Sequence, residues 1–231
     1  MICVPIFGRD LEEVRSRASV AAPSCDLLEL RLDLIEELSP SLVPKLIGEM
    51  PLPVVATNRA PWEGGAFKGG EEERIAILEA AVESGARYVD VEFATKANLK
   101  ERIGARAKER GARVILSHHD FEATPAFDEL KGLFDEMSSQ GQVVVKMVTF
   151  AQDVADFIEV FRLYPIARKR GVPLIAFCMG RHGCMSRIAS LELGAHFTFA
   201  SLESGLDSAP GQIPARQMRE ILSLIKGSCE S

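Results

Sequence analysis

The chain has 231 residues, 47% of them hydrophobic and 26% charged, an ordinary balance for a globular protein built on one core. Its net charge of −6 offers no electrostatic footprint for nucleic acid or an anionic membrane, so an anionic ligand has to be drawn in by a local cluster of cations. The five cysteines, Cys3, Cys25, Cys178, Cys184 and Cys229, form no C-x-x-C pair and are odd in number, which argues against a zinc knuckle or a disulfide framework and for reduced thiols in the cytoplasm.

The opening run, Met1-Ile2-Cys3-Val4-Pro5-Ile6-Phe7, is too short for a signal sequence and has no basic flank. Apolar runs elsewhere fall short of the roughly 18 residues a membrane span needs. From there the chain alternates short β-branched runs with longer amphipathic ones. Strands are expected at Ile2–Ile6, Asp26–Leu32, Pro53–Thr57, Tyr88–Glu92, Arg113–Ser117, Val143–Val148, Pro173–Phe177 and Phe197–Ala200. Between them helices are expected at Leu11–Ala22, Leu42–Glu49, Glu71–Glu83, Leu99–Arg110, Phe127–Ser138, Val154–Arg170, Met185–Leu193 and Ala215–Ile225. Glycines such as Gly85, Gly111, Gly171 and Gly194 sit just before strands, where helices end.

Strict strand–helix alternation implies parallel strands with helical crossovers. Eight such units in this length predict a closed (β/α)8 barrel forming one domain over residues 1–231. An open doubly wound sheet would carry a glycine-rich phosphate loop after its first strand, and Phe7-Gly8-Arg9-Asp10 has a single glycine.

Residues two apart share a face of a strand. Glu29, Arg31 and Asp33 therefore oppose Leu28, Leu30 and Leu32; Thr57 and Arg59 share a face, as do Asp90 and Glu92. In the sixth strand Lys146 falls between Val144 and Val148, with Val145 and Met147 on either side. With apolar faces packed on helices, these charges point into the barrel near the C-terminal ends of its strands, where barrel enzymes carry their active sites. A salt-bridge cluster filling one barrel layer is the alternative, but cores prefer apolar filling unless charge has a task. Attack on a ketone needs a buried lysine amine of the kind Lys146 offers, although a structural pairing with Asp90 or Glu92 satisfies the same spacing.

At the end of the fifth strand, Ser117-His118-His119-Asp120-Phe121 presents two histidines to opposite faces, so one of them at most enters the barrel mouth. Histidine is the natural acid/base near neutral pH, and Glu63 or Glu92 can orient it. Met179-Gly180-Arg181-His182-Gly183 leads into a helix with Ser186 and Arg187, and Ser208-Ala209-Pro210-Gly211-Gln212 follows the eighth strand. Arg187 suits a carboxylate held by two parallel hydrogen bonds. The stretch Ser204-Gly205-Leu206-Asp207-Ser208 reads equally as a lid or a surface loop.

Taken together, Glu29-Leu30-Arg31-Leu32-Asp33, Thr57-Asn58-Arg59 with Glu63-Gly64-Gly65, Asp90-Val91-Glu92, Ser117 to Phe121, Val145-Lys146, Met179-Gly180 through Ser186-Arg187, and Ser208 to Gln212 resemble the type I 3-dehydroquinate dehydratase family. The pieces occur in the family's order from position 29 to 212. The resemblance implies a hydro-lyase of the shikimate route, converting 3-dehydroquinate to 3-dehydroshikimate by syn elimination, with neither metal nor organic cofactor. It implies Lys146 as the Schiff-base lysine, His119 as general acid/base and Glu63 as the carboxylate orienting it. Glu29, Arg31 and Arg59 resemble substrate-hydroxyl and electrostatic contacts; Arg187, Ser208 and Gln212 resemble the carboxylate clamp and closing loop. The family often has serine where this chain has Pro5, and some members have asparagine at the place of His118. A cytoplasmic homodimer is implied as well, with Phe157, Phe161 and Leu163 as readily core as contact. The nearest rivals are an aldolase or transaldolase sharing barrel and lysine, and a non-catalytic barrel that binds a small carboxylate.

Overall fold

The structure, a computed structural model, describes residues 1–203 and 210–229. Eight parallel strands alternate with helices in the order expected. β1 (Ile2–Ile6) leads to α1 (Leu11–Ala21), β2 (Leu27–Arg31) to α2 (Val43–Gly48), and β3 (Val54–Thr57) to α3 (Glu71–Glu83). β4 (Tyr88–Glu92), α4 (Ala97–Arg110), β5 (Arg113–His119) and α5 (Phe127–Ser138) follow. After β6 (Val143–Phe150) come α6 (Asp156–Phe161) and α7 (Leu163–Arg170), then β7 (Leu174–Met179), α8 (Cys184–Glu192), β8 (Thr198–Phe199) and α9 (Ala215–Cys229). The strands pair in the order β7-β6-β5-β4-β3-β2-β1-β8. Beneath the remaining join, the His196 amide donates to the Leu174 carbonyl at 2.8 Å, so the sheet curls into the (β/α)8 barrel.

Local chemistry explains the element ends. Asp10 caps α1 by accepting from the Glu13 amide at 2.8 Å. Glu73 reaches back to the Gly70 amide at 2.8 Å to open α3. The expected single helix over Val154–Arg170 is instead two, α6 and α7, meeting at Arg162. Pro165 is the reason: it has no N–H to donate to the Phe161 carbonyl, so the hydrogen-bond ladder breaks there. β5 and β6 each run two residues beyond their expected ends, to His119 and Phe150.

The period of two in the strands divides the apolar residues into layers. Leu28, Leu30, Val54, Ala56, Val89 and Val91 pack outward against α1 to α4. Leu116, Val145, Met147, Leu174, Ala176 and Cys178 do the same against α5 to α7. Inside the barrel, Cys3, Leu27, Val55, Ile115, Val144 and Ile175 form a dry floor, with Tyr88, Phe197 and Phe199 among the same cluster. Tyr88 and Phe197 meet edge to face, their centroids 5.6 Å apart. Apolar filling below leaves the polar side chains of β2 to β6 to the upper half of the barrel. No helix among the described residues is long and apolar enough to cross a membrane.

Candidate active site

Glu29, Arg31, Arg59, Glu63, His119, Lys146, Arg187 and Gln212 line one cavity at the C-terminal ends of the strands, together with Phe121, Phe177, Met179 and Phe199. Ser208, with the Ser204–Ser208 stretch read as a lid, lies outside the described residues. A larger groove of about 770 Å³ runs over the outer face of β5 beside α4, but neither the lysine nor the histidine of the cavity reaches it.

Lys146 rises from the middle of β6 with its side chain almost fully buried. Its Nζ donates to Asp90 Oδ2 at 2.8 Å, lies 3.6 Å from Glu29 Oε1, and stands 4.4 Å from the centroid of the Phe199 ring. Asp90 also accepts from Arg59 at 2.9 Å and from the Ser117 hydroxyl at 2.6 Å. Burial alone would raise the Asp90 pKa, yet Arg59 and Lys146 outweigh it and hold this carboxyl below the usual carboxylate range. Glu29 is fixed in turn by the Thr57 hydroxyl, which donates to it at 2.9 Å. A lysine with two carboxylates in reach is thus set in a wall of rings and methyl groups.

His119 ends β5 and faces the cavity. Its Nδ1 is 2.7 Å from Glu63 Oε2, and the Phe121 ring stacks beside it with centroids 6.1 Å apart. Glu63, not Glu92, is therefore its carboxylate partner. Burial pushes the Glu63 carboxyl up to about 8, with Arg59 opposing and Glu92 and Asp90 assisting. Burial, then the cations Arg59 and Lys146, hold His119 well below the usual imidazole value. Both shifts act against charge on the pair, so His119 is kept as a neutral imidazole.

Glu63 comes from a loop, and what holds that loop is side chains. The Asp33 carboxylate accepts from the Arg59 and Ala66 amides at 3.3 and 3.1 Å, while both its oxygens accept from Arg31 at 2.9 and 2.8 Å. Glu92 accepts from the Ala60 amide at 2.9 Å. The chain turns so tightly that a Cβ on Gly65 would stand 1.8 Å from the Arg59 carbonyl oxygen. Arg59 carries its charge into the cavity, where it donates to Glu92 and Ser117 at 2.9 and 2.8 Å. Burial weakens that charge less than Asp90 and Glu92 strengthen it, and the Arg59 pKa lies above the usual arginine value.

Across the cavity Arg187, wholly buried on α8, lays its guanidinium over the Phe177 ring at 4.4 Å and donates to the Pro210 carbonyl at 3.4 Å. Gln212 lies on the same side. Several contributors were not singled out from the sequence. The Ser117 hydroxyl sits in a motif read only for its histidines, although its alternation with His119 placed it on the inner face. Asp33, by contrast, was read with Glu29 and Arg31 as facing the barrel; it lies past the end of β2 in a single 3-10 turn, Leu32–Leu34, where it holds Arg31 and the Glu63 loop. Arg74 of α3, entirely buried, carried no signal at all inside Glu71-Glu72-Glu73-Arg74, which reads as a solvated helix start.

Comparison with known proteins agrees with this geometry. Residues 2–228 match the type I 3-dehydroquinase family. A 3-dehydroquinate dehydratase from Desulfotalea psychrophila is 37% identical over 222 residues, 96% of each chain. One from Methanococcus maripaludis strain C6 is 34% identical, over 98% of this chain and all of that one. The solved structure of 3-dehydroquinate dehydratase from Geobacillus kaustophilus HTA426 superposes with a TM-score of 0.89 at 27% identity, covering 98% of this chain and 91% of that one. With the barrel, the cavity and matches of this extent in agreement, the chain belongs to the type I 3-dehydroquinase family.

Proposed function

We propose that this chain, as one catalytic barrel over residues 1–231, dehydrates 3-dehydroquinate to 3-dehydroshikimate through a Schiff base on Lys146. The observation that carries the reading is a buried lysine and a carboxylate-held histidine facing one cavity, Nδ1 of His119 lying 2.7 Å from Glu63. Once it has given up a proton, the Lys146 amine adds to the ring ketone, and loss of water leaves an iminium. The iminium draws electrons from the neighbouring carbon and makes its hydrogen acidic. His119 takes that proton on Nε2 while Glu63 stabilises the imidazolium through Nδ1. The resulting enamine expels the hydroxyl at carbon 1, which leaves as water with the proton His119 returns. Water then adds to the iminium and releases the conjugated product and the lysine.

Orientation falls to the cations. Arg187 presents two parallel N–H groups to the substrate carboxylate, and its position over Phe177 fixes their plane. Glu29, Arg31 and Arg59 face the ring hydroxyls, and Gln212 and Ser208 complete the carboxylate side. The chain is read as a cytoplasmic homodimer: Cys3, Cys25, Cys178 and Cys184 are free thiols, and Val154 and Ile158 leave apolar surface exposed beside α6. Leu163, by contrast, is core.

Ultraviolet absorbance tests the reaction directly. Adding 3-dehydroquinate should produce the rising absorbance of a conjugated enone, and phosphorylated sugars should neither be cleaved nor inhibit. No enone from the folded protein would sink the reading, and cleavage of a sugar phosphate would favour an aldolase.

A further inference from the structure

The cavity lining does not include every buried cation among the described residues. Arg74 is the fourth residue of α3, on the helical side of the sheet, yet it has no exposed surface. Its Nη1 donates to Glu92 Oε2 at 2.6 Å and to the Asn58 carbonyl at 3.0 Å. Its remaining nitrogens donate to Glu71 at 2.7 and 3.2 Å and to the Thr95 hydroxyl at 2.9 Å. Asn58 answers by donating its side-chain amide to the Arg74 carbonyl at 3.2 Å. The foot of the Glu63 loop is thereby stitched to α3 in both directions.

Glu92 stands between two arginines. One oxygen accepts from Arg74; the other accepts from Arg59 and from the Ala60 amide, both at 2.9 Å. Arg59 then divides its terminal nitrogens between Glu92 and Asp90, and Asp90 holds Lys146. A continuous line of buried charge therefore runs from α3 to the reacting lysine. Without Arg74, Glu92 would be a buried carboxylate with Arg59 as its remaining cation. It would pull Arg59 away from Asp90 and add uncompensated negative charge beside Glu63.

We propose that Arg74 is a positioning residue for the dehydration: by neutralising and anchoring Glu92 it sets the place of Arg59 and of the loop that holds Glu63 against His119. The inference rests on the dehydratase reading and adds to it a residue that touches no substrate. Its signature follows from charge. Glu63 faces Arg59 from its own loop, Glu92 and Asp90 from β4, His119 from β5 and Lys146 from β6. Freed of Arg74, Glu92 makes the Glu63–His119 pair hold its proton to higher pH, so the acid limb of kcat/KM moves up.

The experiment compares wild type, Arg74→Met, Arg74→Lys and the double variant Arg74→Met with Glu92→Gln, all on 3-dehydroquinate. Competent sites are counted by borohydride trapping, so that kcat is expressed per trapped lysine. Arg74→Met should lose on the order of tenfold or more in kcat per trapped site, because small displacements of catalytic groups are costly. KM should stay within about twofold, since Arg187 carries the binding. The acid limb should rise by roughly one pH unit and return in the double variant, where the stranded carboxylate is gone. Arg74→Lys, which keeps the charge but not the fork of hydrogen bonds, should lose rate without moving the limb.

A folded Arg74→Met enzyme with the wild-type limb and kcat per site overturns the proposal. So does a limb that moves as far in the double variant as in Arg74→Met. If Arg74→Met fails to fold, Arg74→Lys decides through kcat per trapped site, and a wild-type value there overturns the proposal. A wild type that makes no enone removes the dehydratase reading itself, whereas a working wild type with an indifferent Arg74 removes this inference alone.

Discussion

Gly65→Ala should disable the enzyme without touching a charged group. The added Cβ would stand 1.8 Å from the Arg59 carbonyl oxygen, 2.3 Å from its carbon and 2.8 Å from the Ala60 oxygen. Real Cβ atoms are essentially never closer than 3.0 Å to such atoms, so the loop must open by about 1.2 Å. All three obstacles are backbone, and no side-chain rotation relieves them. The opening moves Arg59 and Glu63, which leave the same loop, and a 1.2 Å shift stretches the 2.7 Å Glu63–His119 contact beyond hydrogen-bond range. Misplacement by about 1 Å can cost on the order of 100-fold in rate, and that is the loss expected in kcat. Substrate should still bind and be trapped, because Arg187 and Lys146 stand on α8 and β6. The assay is steady-state enone formation beside borohydride trapping, with thermal melting to establish that the variant folds. A folded Gly65→Ala with wild-type kcat would refute the view that this loop fixes the geometry of the base.

Three further outcomes follow from the same contacts. Glu63→Gln removes the group whose pKa burial lifts to about 8; the acid limb of kcat/KM should fall toward the depressed His119 value while kcat drops on the order of 100-fold. A pH–rate profile checks both parts. Arg187→Lys keeps one charge but loses the fork and the stacking on Phe177, so KM should rise roughly 10- to 100-fold with kcat changed far less, as steady-state kinetics will read. Asp90→Asn breaks a buried charge pair, at a cost of roughly 3–5 kcal/mol or some 6–20 °C in Tm. Because the folded Asp90 pKa is depressed, its stabilisation is present above the usual value of 3.8 and lost as pH falls below it. Melting curves of the variant should therefore lose part of the acid slope seen in wild type.

The sequence exposed most of this site because strands enforce a period of two. Glu29, Arg31, Asp90 and Lys146 stood opposite apolar neighbours, and the barrel sends such faces inward. Arg59 was placed by the same alternation, beside Thr57, although β3 ends before it; Glu63 was named beside Glu92 as a partner for the histidine and then through motif resemblance, because loop residues have no periodicity to betray where they point. For Glu63 the direction comes from contacts distant in sequence, Asp33 to Ala66 and Glu92 to Ala60. Arg74 was hidden for a different reason. Three glutamates precede it, a composition that a solvated helix start and a buried ion network share, and only the approach of Glu92 from β4 separates them. The break between α6 and α7, however, was already written in Pro165, since a proline within a helical pattern interrupts its ladder.

The central claim is a covalent bond to one lysine, and intact mass after sodium borohydride reduction tests it most directly. Wild type incubated with 3-dehydroquinate and borohydride should gain one reduced adduct on the peptide that contains Lys146, and Lys146→Ala should gain none. An adduct on another lysine, or enone formed at the wild-type rate by Lys146→Ala, would contradict the account.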